Sequence, residues 1–505
     1  MTHTLARRRL DGRLLAIRWH QRLALLGALA LMLWGASGLL HPVMTSFGPQ
    51  QAVFLPPARP IDLGAMRPVA DILAEAGVTR AQLVRIVTGP QGNLLQVTER
   101  EREVPRYFRL DDGRELPGHD RAQAVWLARH YSGLAQTPVA SVERIEGFSA
   151  RYPAVNRLLP VWRVTFDRSD GLSYVVHTET SAVAAVDDRV KQRLQTAFQW
   201  VHTLSWLPRG AEPLRVALIS LAVGSLVVLA ISGIAMLFLI RRRSRPTGVR
   251  GWHRTAAWAL AVPLFLFAGS GLFHLFQHAG EVPATNLRLS PPVDVATADP
   301  GLPTRLAQLT GGGPVNALSL VADGRGVLLY RIEPARPQAT APATAAAIRA
   351  ARFAGAPRSE PPIYVEAATG RVRPDADRAL ALDLGRRFTG LGPEAVERME
   401  LVTRFGPLYD FRNKRLPVWR LDYGPPVSAT LFVDTATGVL VDVVADAAKP
   451  ERFSFSFLHK WNFLFPLGRD GQNAVVAAVV LALIGFMAWL GLRMDLARRA
   501  ARRRR

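Results

Sequence analysis

Two stretches of this sequence repeat one another and decide the fold. Residues 19–41 read WHQRLALLGALALMLWGASGLLH, and residues 252–274 read WHRTAAWALAVPLFLFAGSGLFH. Each begins with Trp-His, continues through an apolar run and ends with Ser-Gly-Leu-x-His, at a constant offset of 233 residues. Such a run is long enough to span a membrane as a helix. Because the second stretch lies in the middle of the chain, it is not a signal peptide, and we interpret the first as an uncleaved anchor too.

The repeat continues beyond these helices at an offset of 257 residues. The string LPVWR occupies both 159–163 and 416–420, and the other matches are Tyr107 with Tyr364, Phe198 with Phe455 and His202 with His459. The chain is therefore a duplication in which each half reads helix, external module, helix. Both halves enter the membrane in the same direction, so we expect a pseudo-two-fold axis along the membrane normal. The second half has 24 extra residues, which we place in the Ala/Pro-rich stretch 334–356.

Composition excludes several classes of protein. The 505 residues carry a formal charge of +23, are 49% hydrophobic and include no cysteine. Without cysteine there is no disulfide, thiolate iron–sulfur cluster, Cys-type zinc site or covalently attached c-type haem. A redox cofactor would need His, Met or oxygen ligands.

The positive charge is concentrated beside apolar runs. Six arginines lie within residues 1–22, six within 241–254 and seven from Arg493 onward. This is the positive-inside pattern of membrane insertion, so we expect no nucleic-acid partner. The sequence divides into a basic cytoplasmic segment (1–22), a first span (23–44), a first module (45–207), a second span (214–240), a cytoplasmic loop (241–254), a third span (255–276), a second module (277–465), a fourth span (473–492) and a basic cytoplasmic tail (493–505).

The expected fold class is an integral membrane α-helical protein with four transmembrane helices, an internal duplication and two external α+β modules. Residues 122–130 and 378–388 have helical spacing, and 161–166, 172–176, 418–423 and 430–433 have β-rich composition. Asp323-Gly324 predicts a hairpin between the strands on either side of it. No P-loop or G-x-G-x-x-G motif supports nucleotide binding.

This organisation resembles the PepSY-associated transmembrane-helix family, which includes iron-regulated inner-membrane proteins and ferric-siderophore reductases. The resemblance is carried by the Trp-His pairs, the Ser-Gly-Leu-x-His motifs and the VDTATG strand-turn at 433–438, followed by Phe455 and His459. In the first half His177 and Ser181 replace the Asp434 and Gly438 of that turn. The resemblance implies PepSY-like external modules in the periplasm, b-type haem in the helix bundle and electron transfer across the membrane.

The placement of histidine supports haem independently. Six of the 11 histidines form three repeat-related pairs: His20 with His253, His41 with His274, and His202 with His459. His20 and His41 are separated by 21 residues, or about 31 Å of helix, which is the thickness of the hydrocarbon core. Each of these two helices thus carries an imidazole near each membrane face. Two imidazoles related by a two-fold axis can ligate one haem iron from opposite sides.

We therefore expect two or more non-covalent b-type haems, with all six histidines as candidate ligands of the haem iron. His20 and His253 form the inner pair. The outer four can pair as His41 with His274, as His202 with His459, or within each half, and His278 is a spare. The alternative is that these histidines are interfacial residues beside belt tryptophans such as Trp19 and Trp252.

The expected function is a haem-containing reductase in a bacterial inner membrane, with both termini cytoplasmic and the large modules periplasmic. It would accept electrons from quinone or a cytoplasmic reductase and pass them to a periplasmic acceptor, a ferric siderophore by the resemblance. The sequence assigns no catalytic residue. The competing hypothesis is a non-catalytic membrane-anchored protein whose modules bind peptides or peptidases, or a transporter accessory.

The first prediction concerns topology, and the absence of native cysteine makes its test free of background. A membrane-impermeant thiol reagent should label Asp112→Cys and Thr369→Cys in spheroplasts, whereas Ser244→Cys and Arg503→Cys should react only after permeabilisation. The arginine blocks favour this orientation. Labelling of Thr369→Cys only after permeabilisation would reverse it.

Overall fold

The chain folds into two compact units. The computed structural model describes residues 2–240, 247–278, 285–297, 315–334 and 361–504, together with 344 and 347. The first unit comprises Met1–Gly48, Val190–Val282 and Ala447–Arg505, and the second comprises Pro49–Arg189 and Pro283–Asp446. Each unit therefore contains segments from both halves of the duplication.

Helices form most of the first unit and part of the second. In chain order they are α1 (Thr2–Phe47), α2 (Val69–Glu75), α3 (His119–Ser132), α4 (Arg189–His202), α5 (Glu212–Leu239), α6 (Gly248–Gln277), α7 (Ala376–Thr389), α8 (Lys449–Ser454), α9 (Gly468–Ala482) and α10 (Leu490–Arg503). A π-helical turn at Phe455–His459 follows α8, and a second one at Leu483–Trp489 joins α9 to α10.

Four helical segments among the described residues are long and apolar enough to cross a membrane: Gly12–Phe47, Glu212–Leu239, Gly248–Gln277 and Asn462–Arg503. They contain or overlap the four predicted spans. Many large apolar side chains on them are exposed, including Leu33, Leu221, Val262 and Leu481. Apolar surface of this extent on a long helix is suited to lipid. The coarse fold class, membrane-length helices with antiparallel sheets, is confirmed.

The four long segments form a bundle in which the repeated helices occupy opposite corners. α1 contacts both α5 and the α9–α10 segment, and α6 contacts the same two neighbours. The buried centre is built from small and aliphatic residues such as Ala30, Ala222, Ala268 and Leu483. This arrangement is the one expected when a two-helix unit is duplicated about an axis parallel to the helices.

The second unit contains the strands. They are β1 (Arg80–Ala81), β2 (Leu83–Gly89), β3 (Gly92–Thr98), β4 (Arg106–Arg109), β5 (Val139–Ile145), β6 (Val161–Phe166), β7 (Ser173–His177), β8 (Ala182–Asp187), β9 (Leu287–Arg288), β10 (Val293–Asp294), β11 (Val315–Ala322), β12 (Leu328–Pro334), β13 (Ile363–Glu366), β14 (Val396–Val402), β15 (Val418–Tyr423), β16 (Ala429–Asp434) and β17 (Val439–Ala445).

One six-stranded antiparallel sheet is shared by the two halves. Its order is β13-β12-β11-β2-β3-β4, so β2 and β11 meet at the centre with Leu320 opposite Val84. The repeat-related residues Tyr107 and Tyr364 lie on the two edge strands. The order is the same when read from either edge, as a pseudo-two-fold axis requires. The predicted hairpin at Asp323-Gly324 joins β11 to β12.

Each half also has its own antiparallel meander. The first is β5-β6-β7-β8, and the second is β14-β15-β16-β17 with β9 added at its edge. Helix α3 contacts β6 and β7, and helix α7 contacts β15 and β16. These helices cover the meander cores because their apolar spacing places one face toward the sheet. Most of the predicted insertion at 334–356 lies outside the described residues.

The duplication preserves one buried hydrogen-bond network in each half. The Asp120 carboxylate accepts from the Tyr107 hydroxyl at 2.7 Å and from Trp162 Nε1 at 2.6 Å. In the second half the acceptor is Asp377, with Tyr364 and Trp419 as donors. Burial and the Asp120 charge raise the pKa of Tyr107 well above its usual value, which keeps the phenol protonated. The tryptophan of the repeated LPVWR string thus has a structural role.

The second prediction concerns this network. Asp120→Ala leaves a buried phenol and an indole N–H without an acceptor, so the free energy of unfolding should fall by about 2–4 kcal/mol. Thermal unfolding of the full-length protein, followed by tryptophan fluorescence, measures the effect. The matched control is Asp167→Ala, since Asp167 is exposed in the same half. Equal midpoints for the two variants would contradict the prediction.

Candidate cofactor sites in the helix bundle

The inner histidines meet inside the bundle. His20 lies on α1 and His253 on α6, and their ring centroids are 6.4 Å apart with an interplanar angle of 72°. The neighbouring Trp19 and Trp252 are exposed, at 46% and 65%. The tryptophans are therefore exposed, whereas the two imidazoles lie next to each other. An interfacial role explains the tryptophans better than it explains the histidines.

Both inner imidazoles are held through Nδ1. Nδ1 of His20 lies 3.1 Å from the hydroxyl oxygen of Ser232, and Nδ1 of His253 lies 2.9 Å from the carbonyl oxygen of Phe486. A carbonyl only accepts, so His253 carries its proton on Nδ1 and has a lone pair on Nε2. Metal-binding histidines commonly have this arrangement, in which the second ring nitrogen is oriented by a hydrogen bond.

Two glycines lie close to the inner rings. A Cβ added to Gly233 would lie 3.6 Å from Cε1 of His20, and one added to Gly491 would lie 3.6 Å from Cε1 of His253. Larger side chains at these positions would press on the imidazoles. Glycine backbone thus lies beside Cε1 of each inner ring, and the Ser232 hydroxyl contacts Nδ1 of His20.

The outer pair His202 and His459 repeats this arrangement. Nδ1 of His202 lies 3.0 Å from the hydroxyl of Ser37, and Nδ1 of His459 lies 3.3 Å from that of Ser270 and 3.2 Å from the carbonyl of Phe267. A Cβ on Gly38 would lie 3.7 Å from Cε1 of His202. On Gly271 it would lie 3.2 Å from Cε1 of His459. The repeated Ser-Gly of the helix motif therefore contacts the repeated histidine.

Burial keeps the outer imidazoles neutral. It lowers the pKa of His202 to about 4. Burial, followed by the nearby charge that His202 would carry, lowers the pKa of His459 to about 3. At neutral pH both rings are uncharged, and a neutral imidazole is the form that binds a metal.

Phenylalanine separates the remaining two predicted ligands from the outer pair. Phe198 stacks on His202 with centroids 4.7 Å apart and lies 6.5 Å from the ring of His41. In the second half Phe455 stacks on His459 at 4.8 Å and on His274 at 3.9 Å. His41 and His274 therefore occupy corresponding positions in the two halves. A phenylalanine ring lies between His41 and His202 in the first half, and between His274 and His459 in the second.

His274 has a second set of neighbours. Its Nδ1 lies 2.5 Å from Oε1 of Glu451, and Nε2 of His278 lies 3.4 Å from Oε2 of the same carboxylate. Burial alone would raise the pKa of Glu451, but hydrogen bonds from the two imidazoles outweigh it and lower that pKa to about 2. The carboxylate is therefore ionised at neutral pH.

Several residues that hydrogen-bond to the predicted ligands were not predicted from the sequence. Ser37 and Ser270 lie inside the repeated motif, so their recurrence was an available signal. Ser232 has no serine at the corresponding position of the second half, and Phe486 acts through its backbone carbonyl. No sequence pattern marks such partners. Comparison with known proteins gives no matching family model and no matching curated sequence.

Proposed function

We propose that this protein is a haem-containing membrane reductase of the PepSY-associated transmembrane-helix type. It would carry electrons across a bacterial inner membrane to a periplasmic acceptor. The observation that carries the proposal is the pair His20 and His253 on α1 and α6, whose ring centroids are 6.4 Å apart and whose Nδ1 atoms are both hydrogen-bonded. Ionisable groups at membrane depth are expensive to retain and usually serve function.

The inner pair has the two imidazole donors that would hold one haem iron. Their ring centroids are 6.4 Å apart, and hydrogen bonds at both Nδ1 atoms leave the two Nε2 atoms as the nitrogens that would bind a metal. Gly233 and Gly491 let the helix backbone lie close to Cε1 of the two rings. His20 and His253 would therefore hold the inner haem, which supplies a one-electron carrier.

We assign the outer haem to His202 and His459 because they share the features of the inner pair: an Nδ1 hydrogen bond, a neighbouring glycine and a repeat-related partner. Ser37, which anchors His202, lies 17 residues after His20 on α1. That separation corresponds to about 26 Å of helix, most of the hydrocarbon core. Two sites at this spacing would put a redox centre near each face of the insulating layer.

The donor and the acceptor follow from chemistry and from the resemblance. The sequence has no nucleotide-binding motif, so quinone or a separate cytoplasmic reductase would supply the electrons. The proposed acceptor is a ferric siderophore at the periplasmic modules. Siderophore oxygens are hard ligands that suit Fe³⁺, and reduction to Fe²⁺ weakens their hold on the metal.

The third prediction tests the haem ligands. The wild-type protein should contain two b-type haems with low-spin spectra. The double variant His20→Ala, His253→Ala should lose one spectral component and half of the haem, and His202→Ala, His459→Ala should lose the other. The two sites are separated by most of the bilayer, so each should survive loss of the other. Haem content by pyridine haemochrome and low-temperature spectra measure both effects.

The control for these variants is His130→Ala, which removes a half-buried histidine of the second unit. It should leave haem content unchanged. A colourless wild-type protein after expression with ample haem would refute the proposed function and favour the membrane-anchored binding protein. Loss of one component in His41→Ala, His274→Ala, with His202→Ala, His459→Ala unaffected, would transfer the outer site to His41 and His274.

The fourth prediction tests the acceptor. Dithionite-reduced protein, freed of excess reductant, should be reoxidised by a ferric hydroxamate in an anaerobic stopped-flow experiment. Each Fe³⁺ of the chelate would take up one of the electrons that dithionite supplied to the protein and would become Fe²⁺. The gallium hydroxamate has the same shape and charge but accepts no electron, so it should leave the spectrum unchanged. Negligible reoxidation by a panel of ferric chelates would refute the siderophore as acceptor and leave the haem assignment standing.

A further inference from the structure

Three metal-binding side chains converge beyond the outer histidine pair. His274 and His278 lie at the end of α6, and Glu451 lies on α8. One ligand atom from each lies within 4.8 Å of the others. Because His274 and His278 are four residues apart, they share one face of the helical turn. Glu451 approaches that face from a different helix.

The three side chains of this cluster differ in their exposure to solvent. Glu451 is 2% exposed, whereas His274 and His278 are 33% and 41% exposed. A carboxylate removed from water needs compensating positive charge or hydrogen bonds. The two imidazoles now provide them, and a cation would provide more. His278, which lies 3.4 Å from the carboxylate, is itself exposed to solvent.

The cluster belongs to one half of the duplication only. At the offset of 233 residues, His274 corresponds to His41, but His278 corresponds to Thr45. At the offset of 257, Glu451 corresponds to Leu194. Thr45 bonds to the carbonyl oxygens of His41 and Pro42 on its own helix. The haem framework is two-fold, so a feature that breaks the two-fold symmetry indicates a separate role.

We propose that His274, His278 and Glu451 bind one divalent transition-metal cation. Two imidazoles and one carboxylate suit Zn²⁺ or Fe²⁺, whereas Ca²⁺ and Mg²⁺ prefer oxygen ligands throughout. Ligand atoms around such an ion at about 2.1 Å lie about 3.4 Å from one another. Nδ1 of His274 and Oε1 of Glu451, now 2.5 Å apart, must therefore separate, and the more distant ligand atoms of the cluster must approach. His278 is the most exposed of the three, and rotation of its ring supplies that movement.

The identity of the occupant rests on the proposed function. Reduction of a ferric chelate outside the membrane yields Fe²⁺. Imidazole nitrogen suits Fe²⁺ better than the hard oxygen donors of the chelate do. The product ion, and not the ferric substrate, therefore matches this ligand set. The cluster would receive ferrous iron next to the outer redox site and hold it until a carrier removes it.

Zinc is the probe for the test because it is redox-silent and needs no electron donor. Full-length, tag-free protein is treated with a chelator and dialysed against Zn²⁺, and bound metal is measured by elemental analysis. The wild type should bind one Zn²⁺. His278→Ala and Glu451→Gln should each weaken binding at least tenfold, while Thr45→Ala and His130→Ala should bind as the wild type does. In the reverse experiment, Fe²⁺ bound anaerobically at the same site should be displaced by Zn²⁺, because zinc binds nitrogen and oxygen ligands more tightly than ferrous iron does.

The outcomes separate this inference from the proposed function. Haem content is measured on the same samples, and His278→Ala should keep all of it. Haem-loaded wild type that binds no Zn²⁺, or equal binding by the wild type and both cluster variants, would overturn the metal site and leave a hydrogen-bonded His–Glu–His cluster. A haem-free protein that still binds one Zn²⁺ through His278 and Glu451 would refute the reductase and retain the site.

Discussion

The hydrogen bond at Nδ1 is the interaction on which the candidate sites depend. An imidazole inside an apolar bundle must satisfy its N–H, because water is not available to do so. Here that N–H finds a serine hydroxyl or a helix carbonyl, as with Ser37 at His202 and Phe486 at His253. The same contact fixes the ring and selects the nitrogen that is left for a metal. Loss of the hydrogen bond would affect orientation and protonation together.

The duplication explains how these contacts form in matched positions. The motif Ser-Gly-Leu-x-His places a hydroxyl and a gap on one helix, and His202 or His459 of the following segment fills the gap. Because the motif is duplicated, the same serine–histidine and glycine–histidine contacts form in both halves. The inner pair is less regular, because Ser232 anchors one ring and a backbone carbonyl anchors the other. Symmetry is therefore closest in the outer part of the bundle.

Periodicity and self-comparison of the sequence were enough to predict the four apolar helices, the strand-rich segments and the meeting of His20 with His253. They were not enough for the shared six-stranded sheet, because the pairing of Leu320 with Val84 joins residues far apart in sequence. Nor could they foresee Glu451, whose position follows from the packing of a short helix against α6. Local pattern predicts elements and repeated ligands, whereas partners supplied by backbone or by tertiary contact leave no pattern.

The shared sheet also bears on how a duplicated gene can be kept. A single repeat would end its three-stranded sheet at β2, whose backbone would offer an open, largely apolar edge to any other chain. Exposed edges of this kind invite aggregation. In the fused protein β11 of the second half covers that edge. Each half thus covers the sheet edge of the other and protects it from aggregation. Substitutions that weaken the pairing of β2 with β11 would expose the edges of both halves.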